Sequence, residues 1–202
     1  VDARAAALNY MPLRAQANVW ISQAQSALGD AAAATLSARA AFDFALAARD
    51  QRVALYAASV LAFGGATDPR QRDESLRWVA TAKSLLATVH DLDLEAKVAN
   101  AEGNVHLTAG DGAKARPAFE RTIAIFRSID PNHANLGSTL AMLGVVDLEA
   151  GNVAAANSEL AEAQQRIAQS FGIEHPENAS ALVNLAVAEI AIGRYDAATR
   201  AR

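Results

Sequence analysis

Four histidines, a few carboxylate pairs and one glycine-rich turn are the residues whose types could do chemistry. His90, His106, His133 and His175 are spread so that none lies three or four positions from another, the spacing that would set two imidazoles on one helix face around a metal. Loop or cap roles are expected for His133 and His175. Asp91/Asp93 and Glu159/Glu162 pair carboxylates along the chain. Neither pair has an apolar neighbourhood in sequence that would raise one pKa for acid–base work, so solvated helix faces are expected. Gly110-Asp111-Gly112, followed by Ala113-Lys114, lacks the glycine spacing and the Gly-Lys-Ser/Thr ending of a phosphate loop and reads as a turn between helices. The absence of cysteine excludes disulfides and thiolate chemistry. The expectation is a chain without enzyme activity, cofactor or metal.

The elements that would carry any site are helices. Hydrophobic residues make up 52% of the chain but aromatic ones only 5%, and 51 of the 202 residues are alanine. Alanine loses no side-chain entropy in a helix and buries no polar group. A core rich in it must be closed by tight helix–helix approach, since there are few large side chains to insert. A net charge of −4, with no basic stripe, removes the electrostatic footprint of a nucleic-acid binder. No apolar run is read as reaching the ~18 residues of a bilayer span, and Val1–Ala7 has no signal-peptide core. No membrane insertion by this segment and a cytoplasmic location are expected, although a parent protein could be anchored elsewhere. Both ends, Val1 and the helical pattern running to Arg202, read as cut.

A repeat organises the helices. In four places a glycine is followed five positions later by an alanine: Gly29/Ala34, Gly110/Ala115, Gly151/Ala156 and Gly193/Ala198. Seven residues before each glycine is a small residue, Ser22, Gly103, Gly144 or Ala186, and seven after the first three alanines come Ala41, Thr122 and Ala163. Glycine ends a helix because it accepts the left-handed C-cap conformation, and the next helix starts within a few residues, giving an antiparallel hairpin. Asp30, Asp111 and Asn152 follow the glycines and are favoured N-cap types. A second pair is irregular: Ala57 and Gly64 keep the interval of seven, but Pro69 takes the alanine position. Residues 64–70 read as an enlarged loop, with Ala80 and Ala87 restoring the interval.

This pattern resembles the tetratricopeptide repeat family. Met142-Leu143-Gly144 with Ala156 and Leu160 carries the resemblance well. So does Asn184-Leu185-Ala186 with Gly193, Tyr195 and Ala198; Glu102-Gly103 with Ala115 and Phe119, and Trp20-Ile21-Ser22 with Ala34, follow less closely. His106 falls where the family pattern has a tyrosine. Successive glycines are 35, 46, 41 and 42 residues apart. The longer late units, with His175-Pro176-Glu177 opening a helix and Asp130-Pro131-Asn132-His133 in the equivalent loop, are similar to the extended repeats of kinesin light chains. The implied fold is all-α, a right-handed superhelical α-solenoid of antiparallel helix pairs. Its expected divisions are 1–11 as the last helix of a cut repeat closed by Pro12, repeats at 12–49, 50–94, 95–136 and 137–178, and a truncated repeat at 179–202. The segment from Ala47-Ala48-Arg49-Asp50 through Glu74-Ser75-Leu76-Arg77-Trp78, an irregular repeat followed by the extended kind, is similar to repeat regions that follow the catalytic domain of large bacterial serine/threonine kinases.

The resemblance implies that the first helix of each pair lines a concave groove. By that register the binding candidates are Gln16, Val19, Trp20, Gln23, Lys97, Asn100, Asn104, Ser180 and Asn184; Trp20 is read first as a core residue and only second as a ligand contact, and Trp78 as packing. Lys97, Asn100 and Asn104 are similar to part of the polar set with which some family members grip a peptide carboxylate. Ala141, Met142, Val145, Val183 and Val187 on the next two repeats argue against a full grip. The expected function is binding a peptide or helical segment of a protein partner, within a larger bacterial signalling protein such as a serine/threonine kinase. The alternatives are a scaffold that self-associates through exposed terminal helices, as a homodimer, and a small-molecule-sensing regulatory domain.

Overall fold

The computed structural model describes residues 10–65 and 69–193. Among them nine α-helices run in order, with one 3-10 turn and no strand: α1 Met11–Ala27, α2 Ala31–Ala48, α3 Gln51–Gly64, the 3-10 turn Pro69–Gln71, α4 Arg72–Leu86, α5 Leu92–Thr108, α6 Gly112–Ile129, α7 Leu136–Glu149, α8 Val153–Phe171 and α9 Pro176–Ala191. The chain divides into two compact units, 1–109 and 110–202. In the first, α2 packs on α1, α3 on α2, α4 on α3, and α5 on both α3 and α4. In the second, α6 packs on α7, α7 on α8, and α9 on both α7 and α8. This stacking of successive antiparallel helices is that of an α-solenoid, in which each pair covers the apolar face of its neighbour.

The glycine pattern does what its spacing requires. Gly29, Gly110, Gly151 and Gly193 have φ of +79°, +71°, +79° and +81°, and each follows a helix that it terminates. The small residues before and after them meet in close crossings. Ser22 is buried against α2 and its Oγ donates to the Ala34 carbonyl at 2.8 Å. A Cβ on Gly144 would lie 3.4 Å from the Ala156 carbonyl oxygen. Ala34, Ala38, Ala41 and Ala45 form one buried stripe of α2.

α2 also corrects the membrane reading. It has the length and mean hydropathy, 1.2, of a bilayer span, a property that alanine-rich core helices share; Arg39 and Asp43 interrupt it, and its alanine stripe is spent on packing. The C-cap of α2 is a departure of another kind. Arg49 is the one described non-glycine residue at positive φ, +57°, with the Asp50 N–H closing onto the Ala45 carbonyl at 2.8 Å.

Several local expectations need correction. Gly64, read as the start of the enlarged loop, is the last residue of α3, and a Cβ there would meet Thr35 Oγ1 at 3.1 Å. Ala80 and Ala87 are exposed. The buried small residues of α4 are Ser75 and Ala82, again seven apart but each five positions ahead of the expected alanine. Pro12 sits in the first turn of α1, which Met11 opens, so Met11 belongs to this helix. The remainder of the expected helix at 1–11, and Tyr195, Ala198 and the rest of the final turn, lie outside the described residues. Asp30 caps α2 through the Ala33 N–H. Asp111 and Asn152 stand at N-cap positions without a capping bond: Asp111 pairs with Lys114, and the Asn152 amide turns back to Asp147. The side chains of Asp50 and Asp91 cap α3 and α5 instead.

Candidate peptide-binding surface

Helices α1, α3 and α5, the first helices of their pairs, enclose two adjoining recesses in the first unit. One, of about 330 Å³, is lined by Gln16, Val19, Trp20 and Gln23 from α1, Arg52, Val53 and Tyr56 from α3, and Asp91, Asp93, Leu94 and Lys97 from α5 and its N-cap. The other, of about 420 Å³, continues past Gln23, Tyr56 and Lys97 to Ser26, Ser59, Phe63 and Asn100. Tyr56 is the hinge between them. Its hydroxyl accepts from Gln23 Nε2 at 2.7 Å, and the Lys97 ammonium stands 5.6 Å from its ring centroid, within the range of a cation–π contact.

Rigid packing beneath positions these side chains. Leu55, fully buried next to Tyr56, packs with Ala58, Ala82, Leu94 and Val98, tying α3 to α4 and α5. Val19, Ala41 and Ala57 form the corresponding contact among α1, α2 and α3. Above this floor Trp20 is 54% and Phe63 48% exposed. Trp20 is therefore not the core residue first expected; its indole is a wall of the recess. Trp78 does pack, edge-on to Phe42 with centroids 5.0 Å apart.

The charges at the recess are largely neutralised. Lys97 pairs with Asp93 and Arg52 with Asp91 at 2.7 Å. For Asp91, burial acts to raise the pKa but is outweighed by the Leu94 N–H and the Arg52 guanidinium, so the carboxyl is held below its ordinary value. Asp91 and Asp93 are thus a cap and an ion-pair partner, not an acid–base couple.

Of the sequence candidates, Gln16, Val19, Trp20, Gln23, Lys97 and Asn100 come together here. Asn104 lines neither recess; its Nδ2 donates to the Asn100 carbonyl one turn back at 2.8 Å. Asn100 Oδ1 is shielded from solvent with no protein donor. Ser180 and Asn184 lie on α9 in the second unit, where Ser180 Oγ donates to the Pro176 carbonyl. On the same helix Val183 and Val187 are exposed, whereas Ala141 of α7 is buried. Tyr56, Ser59, Phe63 and Arg52 were not among the candidates. They sit on α3, the first helix of the irregular pair, and the interval from Ala57 to Gly64 was the only signal that could have placed them.

The histidines take structural positions. His133 stacks on Phe126 with ring centroids 4.0 Å apart and His175 on Phe171 at 4.9 Å. In each loop the imidazole Nδ1 accepts the N–H two residues on, from Asn135 and from Glu177, so the two loops are built alike. His106 is buried in α5 and His90 is exposed. Glu159 departs from the solvated face expected of it. Burial and the neighbouring Asp147 carboxylate raise its pKa to about 7.

The Tetratricopeptide repeat family profile matches residues 94–165. Over that stretch the chain is similar to the tetratricopeptide repeat family. Three solved structures are similar over nearly the whole chain. BtubC (BKLC) from P. vanneervenii superposes with a TM-score of 0.79 at 21% identity, covering 99% of this chain and 83% of that one. A putative kinesin light chain from Podospora anserina, with nearly identical TPR-like repeats, gives 0.68 at 16% identity, covering 94% of this chain and 92% of that one. A single-substitution form of that protein gives 0.69 with the same identity and coverage. At these identities the likeness establishes the tetratricopeptide-type helical fold. Among curated proteins no sequence matches. Tetratricopeptide repeats generally mediate protein–protein interaction and typically carry no catalytic activity.

Proposed function

We propose that the surface formed by α1, α3 and α5 binds a peptide or a helical segment of a protein partner. The observation that carries this reading is the convergence of Gln16, Trp20, Gln23, Tyr56, Lys97 and Asn100 from three successive first helices onto one pair of adjoining recesses. Exposed Trp20 and Phe63 offer apolar anchors of the type that dominates interface energetics. The glutamine and asparagine amides can both donate and accept along a peptide backbone. With Lys97 and Arg52 already paired to carboxylates, the surface favours a segment of low charge over an anionic polymer. A cytoplasmic setting within a larger bacterial signalling protein, such as a serine/threonine kinase, is part of the proposal and rests on the resemblance of the segment 47–78.

The test is a display selection of random dodecapeptides on the intact protein, followed by affinity measurement on Trp20→Ala and Tyr56→Ala. Each substitution is expected to weaken a selected peptide by at least about tenfold, the usual effect of losing an interface aromatic. Leu36→Ala, a change at an exposed residue of α2, is expected to have no effect. Equal affinity for all three variants would remove the recess from the account.

A further inference from the structure

We infer that Asp147 and Glu159 share a single proton across the packed helices α7 and α8, making this hairpin a pH-sensitive staple. The two carboxyl groups belong to helices that close on each other at Gly144, where a Cβ would fall 2.6 Å from Leu160 Cγ. Each has one shielded oxygen that no protein donor reaches, Oδ2 of Asp147 and Oε2 of Glu159. The other Asp147 oxygen, Oδ1, already accepts from Arg116 of α6 and from Asn152 Nδ2. The Asp147 side chain is fully buried, and two carboxylates facing each other without a donor leave both acceptors unsatisfied and repel. One proton placed between them removes both penalties: Glu159 donates its O–H and Asp147 stays the anion that Arg116 requires.

The charged groups acting on Glu159 fit that assignment. Burial and Asp147 favour its protonated form, Glu120 of α6 adds to them, and Arg116 opposes them. The ionisable residues of α9, which also packs on α8, are Glu177, bonded to Ser138, and Glu189; neither supplies a cation. A carboxyl whose pKa is raised by folding, here from 4.5 to about 7, holds its proton more tightly in the folded state. Its contribution to stability is complete below pH 4.5 and is lost as the pH rises through about 7. The staple is therefore closed in mild acid and loosened above neutrality.

Carbon-13 carboxyl shifts of the whole protein, followed from pH 4 to 9, test this. Glu159 is expected to titrate with a midpoint near pH 7, and the Asp147 carboxyl carbon is expected to report the same event because the two groups are coupled. A Glu159 midpoint in the ordinary carboxylate range, or an Asp147 carbon that does not respond to the Glu159 titration, would overturn the inference. In Asp147→Asn the Glu159 midpoint is expected to fall by at least one pH unit. A midpoint that stays near 7 would mean that burial alone holds the proton, which also overturns sharing. The wild-type titration decides the question by itself if that variant loses helicity.

Discussion

Gly144→Val is expected to destabilise the second unit by about 2–4 kcal/mol, measured as a loss of urea or thermal stability. The estimate combines the 1–3 kcal/mol typical of overpacking with the cost of a β-branched residue crowding a helix interior. At this crossing the Leu160 side chain is fully buried, and an added Cβ would stand 2.6 Å from its Cγ and 2.9 Å from its Cδ2. The closest atom is the Cγ branch point of an enclosed side chain and not a tip that can swing aside, so α7 and α8 must separate. Gly137 lies two turns earlier on the same face, and a Cβ there would meet Ile167 Cγ1 at 2.8 Å and backbone atoms of Ile167 and Ala163 at 3.1 and 3.2 Å. Gly112→Ala is the control. Its Cβ would make an ordinary 3.6 Å contact with Val146, and exchanging glycine for alanine in a helix gains up to about 1 kcal/mol. If Gly144→Val proves as benign as Gly112→Ala, the close-crossing account of this fold is wrong.

Leu55→Ala is expected to cost the first unit about 3 kcal/mol and to disturb the recess as well. Deleting a buried leucine side chain costs 2–5 kcal/mol, more where the surroundings cannot collapse into the cavity. The buried neighbours of Leu55 include Ala58 and Ala82, side chains with no length to extend into the gap. The same cluster contains Leu94 and Val98 of α5, which set the height of Lys97 and Asn100 against Tyr56. A variant that loses stability is therefore expected to lose peptide affinity too, and the two losses can be separated by measuring binding well below its unfolding temperature. A stability change under 1 kcal/mol would show that the alanine-rich layers repack freely.

How much of this was legible in the sequence depends on whether the signal was local. Helix ends at Gly29, Gly110, Gly151 and Gly193 were readable because positive φ is a property of one residue. The crossings at Ser22/Ala34 and Gly144/Ala156 were readable because close approach demands small side chains at fixed intervals. The register of α4 was not, since the chain between Gly64 and Gln71 changes length without a residue type that reports by how much; Ala80 and Ala87 were chosen where Ser75 and Ala82 are buried. Tyr56 was missed for the same reason, being on the helix before that loop. Trp20 was weighed as core because size alone favours burial, whereas its exposure is set by which helices stand opposite. Glu159 was paired along the helix with Glu162, but the group that changes its chemistry, Asp147, comes from a different helix, and Glu162 instead pairs with Arg166 and Arg127.

The central claim is that the partner is held by α1, α3 and α5. Amide chemical-shift mapping of the protein on titration with a display-selected peptide tests it most directly. The account predicts that the largest shifts cluster at Gln23, Tyr56, Lys97 and Asn100, with the outer positions Leu36 and Leu46 of α2 unmoved. Shifts concentrated on α2, or on the exposed valines of α9, with Tyr56 and Asn100 unchanged, would contradict it.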